Sequence, residues 1–201
     1  MVTDAQEPPI GHETPARWSR LDGFVAYLGL LVLLMVGADH LCELKPVLPL
    51  PFWSVFDNAV HTAVGVAVVL PAVLWGRWPW RFLVVAALSA SLLDLDHFVA
   101  AGSLSITDAV SIGERPATHS LLFSAAAGLG VGLLARCRVW GLVVFGALLS
   151  HLLRDSDGYG TRMFWPAESF HLQYWAYIAL TLAVAAGFLA AGRLLVPRVR
   201  S

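Results

Sequence analysis

The chain is predicted to be all-α: a polytopic membrane protein with about six transmembrane helices in one bundle and both termini cytoplasmic. Two observations carry that expectation. Of its 201 residues, 58% are hydrophobic and only 13% are charged, with a mean hydropathy of +0.70, whereas a soluble domain carries about 25% charged residues. The apolar residues also fall into six stretches, at 21–41, 58–75, 80–101, 117–135, 139–153 and 174–195, each near the roughly 20 residues that cross a hydrocarbon core. Trp53, Trp75, Trp78, Trp80, Trp165 and Trp175 lie near the ends of these stretches, where amphipathic rings favour the headgroup region. Little chain is left for a soluble domain.

Residues 1–20 are polar and proline-containing, with Asp4, Glu7 and Glu13, unlike the basic and then apolar start of a signal peptide. They are expected to form a flexible cytoplasmic tail. Orientation follows from the excess of Lys and Arg in cytoplasmic loops. Arg17, Arg20, Arg77, Arg81, Arg136, Arg138, Arg193, Arg198 and Arg200 fall on one side, against Lys45, Arg115, Arg154 and Arg162 on the other. With a net charge of -1 and no basic block, the electrostatic footprint of a nucleic-acid binder is missing. Cys42 and Cys137 fall at opposite faces of this topology and are not expected to pair.

Six of the seven histidines, all but His12, map to the extracytoplasmic side, together with Asp39, Asp57, Asp94, Asp96, Glu114, Asp155 and Asp157. Residues three and four apart share a helix face, which pairs Asp57 with His61, Asp94 with His97, and His151 with Asp155. Three carboxylate–imidazole pairs from three helices suit a divalent cation such as zinc, manganese or iron. Ionisable groups within spans are costly, about 2.5–3.5 kcal/mol at the centre, and mark function by default. Asp39, His40 and His171, at span ends, are placed at the periphery. The interruption of the fifth stretch by Ser150 and His151 implies that its last turn faces protein or water.

Four ordered elements carry a family resemblance: His61-Thr-Ala-Val-Gly65, Leu93-Asp-Leu-Asp-His97, Arg115-Pro-Ala-Thr-His-Ser120, and Ser150-His-Leu-Leu-Arg-Asp155 followed by Gly160 and Pro166. Over about residues 61–166 the chain resembles the YdjM-like (LexA-binding, inner membrane-associated) membrane-bound metal-dependent hydrolases. It departs from their pattern at Leu93, where proline is common, and at Glu114-Arg115-Pro116, where His-Arg-Gly is usual. The resemblance implies that residues 21–196 form a six-helix transmembrane metal-dependent hydrolase-like domain in a bacterial-type cytoplasmic (inner) membrane. Its metal ligands would be His61, Asp94, His97, His119, His151 and Asp155. A more distant similarity to helical zinc-dependent phospholipases and nucleases implies phosphate-ester hydrolysis.

On that basis the expected cofactor is a divalent metal, zinc first and manganese next. The expected partners are membrane lipids and a small-molecule or lipid phosphate substrate. Asp96 is the candidate general base, Arg115 the phosphate contact, and Ser120 an assisting hydrogen-bond donor. The alternatives are an ion or metal transporter, a catalytically silent scaffold with a structural metal, and a haem-binding electron carrier.

Overall fold

A computed structural model describes residues 20–43, 49–113, 115–158, 160–167 and 169–195. The tail expected at 1–20 lies outside these residues apart from Arg20, as do Lys45 and Glu114. The chain forms helices α1 (Arg20–Cys42), α2 (Leu50–Leu74), α3 (Arg81–Leu92), α4 (Asp96–Ala101), α5 (Ile106–Val110), α6 (Leu121–Leu134), α7 (Arg138–Gly158) and α8 (Tyr174–Leu194). A 3-10 turn, Leu93–Leu95, joins α3 to α4. Among the described residues there is no strand, only an isolated bridge between Thr161 and Phe170.

Five helical segments are long and apolar enough to cross a membrane: Arg20–Cys42, Leu50–Leu74, Arg81–Ala101, Arg138–Asp157 and Tyr174–Leu194. The sixth expected span is the shorter α6, 14 residues long. At 1.5 Å per residue it covers about 21 Å of a core about 30 Å thick. It starts at Leu121 rather than 117 because Ser120 turns into an extended conformation and caps it, its Oγ accepting from the Phe123 N–H at 3.2 Å. The residues before the cap stay irregular, and His119 and Ser120 are buried. Non-helical backbone at membrane depth is tolerated where protein covers it.

Helix α2 begins two turns earlier than the apolar pattern suggested. Pro51 sits in its first turn, where the missing N–H has no intrahelical partner to lose. Helix α7 runs past the expected 153, carrying Ser150, His151, Asp155 and Ser156 inward as buried residues. It packs against α2, α3, α6 and α8. Its most apolar stretch is 72% buried, against 22% for α1, so α7 is the axis of the bundle. Leu30 and Leu33 on α1 and Leu129 and Leu133 on α6 are exposed, as lipid-facing side chains must be.

Close approach of α2 to α3 depends on Gly65. A Cβ there would lie 2.6 Å from the Ala90 Cβ, too near for the helices to keep their separation. Gly65→Ala is therefore expected to destabilise the bundle by about 1–3 kcal/mol. Gly29→Ala, where nothing lies within 4 Å of the added methyl, should be neutral or slightly stabilising. Thermal unfolding of the two variants in detergent distinguishes them, and equal melting temperatures would contradict the packing argument.

Candidate metal centre

Three segments meet at one end of the bundle. α7 supplies His151 and Asp155, one helical turn apart. The 3-10 turn supplies Asp94. The irregular stretch ahead of α6 supplies His119. A tightened turn inside an otherwise α-helical span often marks a functional site, and here it lies within the Leu93–His97 element. Asp94 and Asp96 leave that segment in different directions, and His119 spans the gap between them. Its Nε2 is 3.5 Å from Asp94 Oδ1 and its Nδ1 is 3.1 Å from Asp96 Oδ2.

Four atoms converge. His119 Nε2 lies 3.5 Å from both Asp94 Oδ1 and Asp155 Oδ2, and His151 Nε2 lies 3.2 Å and 3.4 Å from the same two oxygens. Zinc holds nitrogen and oxygen ligands at about 2.0–2.2 Å, so a tetrahedral set has donor–donor separations of about 3.3–3.6 Å. The four imidazole–carboxylate separations, 3.2–3.5 Å, lie close to that spacing, and His119, His151 and Asp155 together are compact enough to hold an ion. His119 Nε2, His151 Nε2 and Asp155 Oδ2 are all buried, yet their angles give none of them a hydrogen-bond partner. Close donors without hydrogen bonds are what a shared cation requires.

The outward atom of each residue is held. His151 Nδ1 donates to the Ala90 carbonyl at 2.8 Å, which leaves its Nε2 lone pair pointing inward. Asp96 grips His119 Nδ1 and also accepts from the Thr118 hydroxyl. Asn58 Nδ2 donates to Asp94 Oδ2 at 3.1 Å, and Arg115 donates to Asp155 Oδ1 at 3.0 Å. Such outer partners orient ligands in metal sites. The buried His119 ring is faced by three carboxylates, those of Asp94, Asp96 and Asp155. The cage favours positive charge.

The other sequence candidates flank this centre. His61 is fully buried and stacks on His151 with ring centroids 3.7 Å apart. Its Nε2 lies 3.3 Å from Asp155 Oδ1 and accepts from Arg154 at 2.9 Å, since a guanidinium can only donate. His97 Nδ1 lies 2.8 Å from Asp96 Oδ1, and its Nε2 accepts from Arg115 at 3.1 Å. Two alternative donor groupings, His61 with Asp94 and His151, and Asp94 with His97 and His119, are also compact enough to hold an ion. Ser120 is buried and occupied as the cap of α6. Glu114 lies outside the described residues.

Asn58 and Arg154 carried no site role in the sequence reading. Asn58 accepts from the Ser91 hydroxyl at 2.7 Å and donates to the Ser91 carbonyl at 2.9 Å, locking α2 to α3 behind Asp94. Its signal was its place on the His61 face, three residues earlier. Arg154 donates to Asp57 at 2.7 Å and to Asp39 at 3.1 Å. Asp39 and Asp57 therefore pair with a nearly buried guanidinium rather than resting in interfacial water alone. Arg154 adjoins Asp155 in the fourth motif, the one sequence hint of its position.

Comparison with known proteins agrees with the four-motif resemblance. The family model described as YdjM inner membrane protein matches residues 56–198, which include every element of the site. Transmembrane protein 267 of Danio rerio is 32% identical to this chain over 158 residues, covering 72% of this chain and 69% of its own. The Bos taurus protein of the same name is 27% identical, covering 72% and 71%. The Xenopus laevis one is 26% identical, covering 54% and 60%. No solved structure matches.

If Asp96 orients His119, Asp96→Asn should lower metal affinity about 10–100-fold while leaving the four converging donors in place. Chelator competition on the purified variant measures this, and an unchanged affinity would remove Asp96 from the site.

Proposed function

The chain belongs to the YdjM inner membrane protein family, and from its site we propose that it is a membrane-bound metal-dependent hydrolase of phosphate esters, acting at the extracytoplasmic face. The observation that carries this reading is the convergence of buried, unpartnered His119 Nε2, His151 Nε2 and Asp155 Oδ2 with Asp94 Oδ1. Imidazole and carboxylate donors at this spacing suit zinc, with manganese next. His119, His151, Asp94 and Asp155 are assigned as ligands. A divalent ion held there would polarise a phosphoryl oxygen and acidify the attacking water.

The chain's own residues supply the remaining parts. Arg115, bonded to Asp155 and His97, is placed to hold a phosphate oxygen, because guanidinium bonds such groups in pairs. Once Arg115 turns to the phosphate, His97 Nε2 is released to take a proton from water and pass it to the departing alkoxide. Asp96 stands behind His97 Nδ1 at 2.8 Å, an arrangement that steadies an imidazolium. In the balanced reaction the water oxygen bonds to phosphorus and the P–O bond to the alcohol breaks. One water proton ends on the alcohol, the other on the new phosphate or in solvent.

An ion or metal conduit fits less well. Beyond the site, the interior between α2, α3 and α7 is filled by Val64, Val68, Ala86, Val143 and Ala147, all buried, where a pathway would need polar groups at successive depths. A scaffold with a structural metal would keep the ion but show no turnover.

The purified protein is expected to contain about one zinc per chain, and Asp155→Ala to lose it. His97→Ala should keep the metal and reduce phosphate-ester hydrolysis about 10²–10⁴-fold. Metal-free wild-type protein, or turnover unaffected by Asp155→Ala, would sink the reading. A topology reporter fused after Arg115 should give an extracytoplasmic signal, and a cytoplasmic one would reverse the assigned face.

A further inference from the structure

Two cavities open onto the metal centre from different sides. One, of about 600 Å³, is a groove between α2, the Leu93–Ala101 segment and α5, walled by Val55, Leu95, Phe98, Ile106, Val110 and Ile112. The other, of about 500 Å³, is a vestibule among the ends of α1, α2, α7 and α8. Trp53, Asp57 and Arg115 line both. Asp94 faces the groove and Asp155 the vestibule, so the centre lies on the partition between them.

The two cavities differ in chemistry. The groove mixes its apolar wall with Ser54, Asn58, Ser91 and Ser111 as well as the site residues, and the surface next to it in the chain is apolar: Leu95, Val99 and Leu104 are 52%, 83% and 93% exposed, suited to hydrocarbon rather than water. The vestibule holds Asp39, Glu43, Asp57 and Asp157 against Arg154 once Asp155 and Arg115 are given to metal and phosphate. Asp39 and Asp57 together outnumber the single charge of Arg154 that they share. Among the described residues, Glu43 pairs with a largely exposed His40. Trp53 and Tyr174 add aromatic faces, which attract ammonium groups. Asp155, 4% exposed at its side chain, has an unpartnered oxygen at this boundary.

We infer that the substrate is a phosphodiester lipid with a cationic headgroup, lying across the partition with its acyl side in the groove and its headgroup in the vestibule. This deepens the hydrolase reading and rests on it. A monoester would leave one cavity unused. An anionic headgroup would meet like charge in the vestibule. The lipid would enter sideways between α2 and α5 without leaving the bilayer.

Native mass spectrometry of the full-length protein in detergent, offered equal amounts of phosphatidylcholine and phosphatidylglycerol, tests this while reading metal content in the same spectra. Phosphatidylcholine should be retained several-fold more than phosphatidylglycerol. Val110→Trp, which fills the groove from a partly exposed position, should lower lipid retention at least fivefold with the metal still bound. Asp157→Asn combined with Glu43→Gln should erase the headgroup preference. If Val110→Trp does not fold, Ile112→Trp blocks the same wall. Metal present with equal retention of the two lipids overturns the headgroup assignment, and metal present with undiminished retention in the groove variants overturns the acyl assignment. Absence of metal from the wild type would instead defeat the underlying hydrolase reading.

Discussion

Asp94, half-buried, and Asp155, buried, lie within reach of the same two imidazole nitrogens, and each uses its second oxygen to accept from a side-chain donor, Asn58 for one and Arg115 for the other. Their inner oxygens face each other's histidines without a hydrogen bond on the Asp155 side. Taking carboxylates out of water costs several kcal/mol per ion even after relaxation, so each remaining lone pair needs a partner. Three features of the fold exist to bring the donors there: the 3-10 turn at Leu93–Leu95, the irregular stretch ahead of α6, and the contact of Gly65 with Ala90 that places the carbonyl behind His151. A cation at the centre makes each of these intelligible at once.

Charge balance argues the same way from further out. Asp39, Asp57, Asp94, Asp96 and Asp155 surround the site, and Arg115 and Arg154 are the guanidiniums bonded among them. The carboxylates are in excess. Each arginine also donates to the nitrogen of an outer histidine, His97 or His61. A divalent cation reduces the imbalance where it is greatest. The arginines thereby form a frame around the centre, Arg115 lining both cavities and Arg154 the vestibule.

Much of this was legible in the residues. Helical spacing placed His151 above Asp155, and the helix does run through both. The interruption at Ser150 and His151 foretold a helix end turned inward, and both residues are buried. Periodicity gave span centres well but ends poorly. It could not register that Pro51 opens α2, because proline reads as a breaker unless the helix start is already known. It extended α6 through residues 117–120 because their composition is compatible with a helix, while the cap at Ser120 depends on a backbone turn set by tertiary packing. Asn58 and Arg154 were illegible for a related reason: their partners, Ser91 and Asp94, and Asp39 and Asp57, are distant in sequence. Asp96 projects away from the Asp94 face, as the spacing implied. What the spacing lacked was His119 arriving between them to give that second carboxylate a partner.

The shortened α6 connects fold to chemistry. A regular helix through residues 117–120 would satisfy its own backbone, but would fix the His119 ring at a helical angle on the outside of its own turn. Leaving the stretch irregular lets His119 meet Asp94 and Asp96 on opposite edges of one ring. The exposed backbone that results must be covered, and a bilayer cannot cover it. Protein does: the Leu121 N–H donates to the Met163 carbonyl at 2.9 Å, tying α6 to the loop that follows α7. The clustered donors and both cavities lie at this end, while the opposite interior is packed with Val68, Val69, Ala72, Phe82 and Val139. A bundle built so unevenly has a site that opens to one side and a seal beneath it. The proposed hydrolysis needs only that open face, whereas passage across the membrane would meet the packed interior.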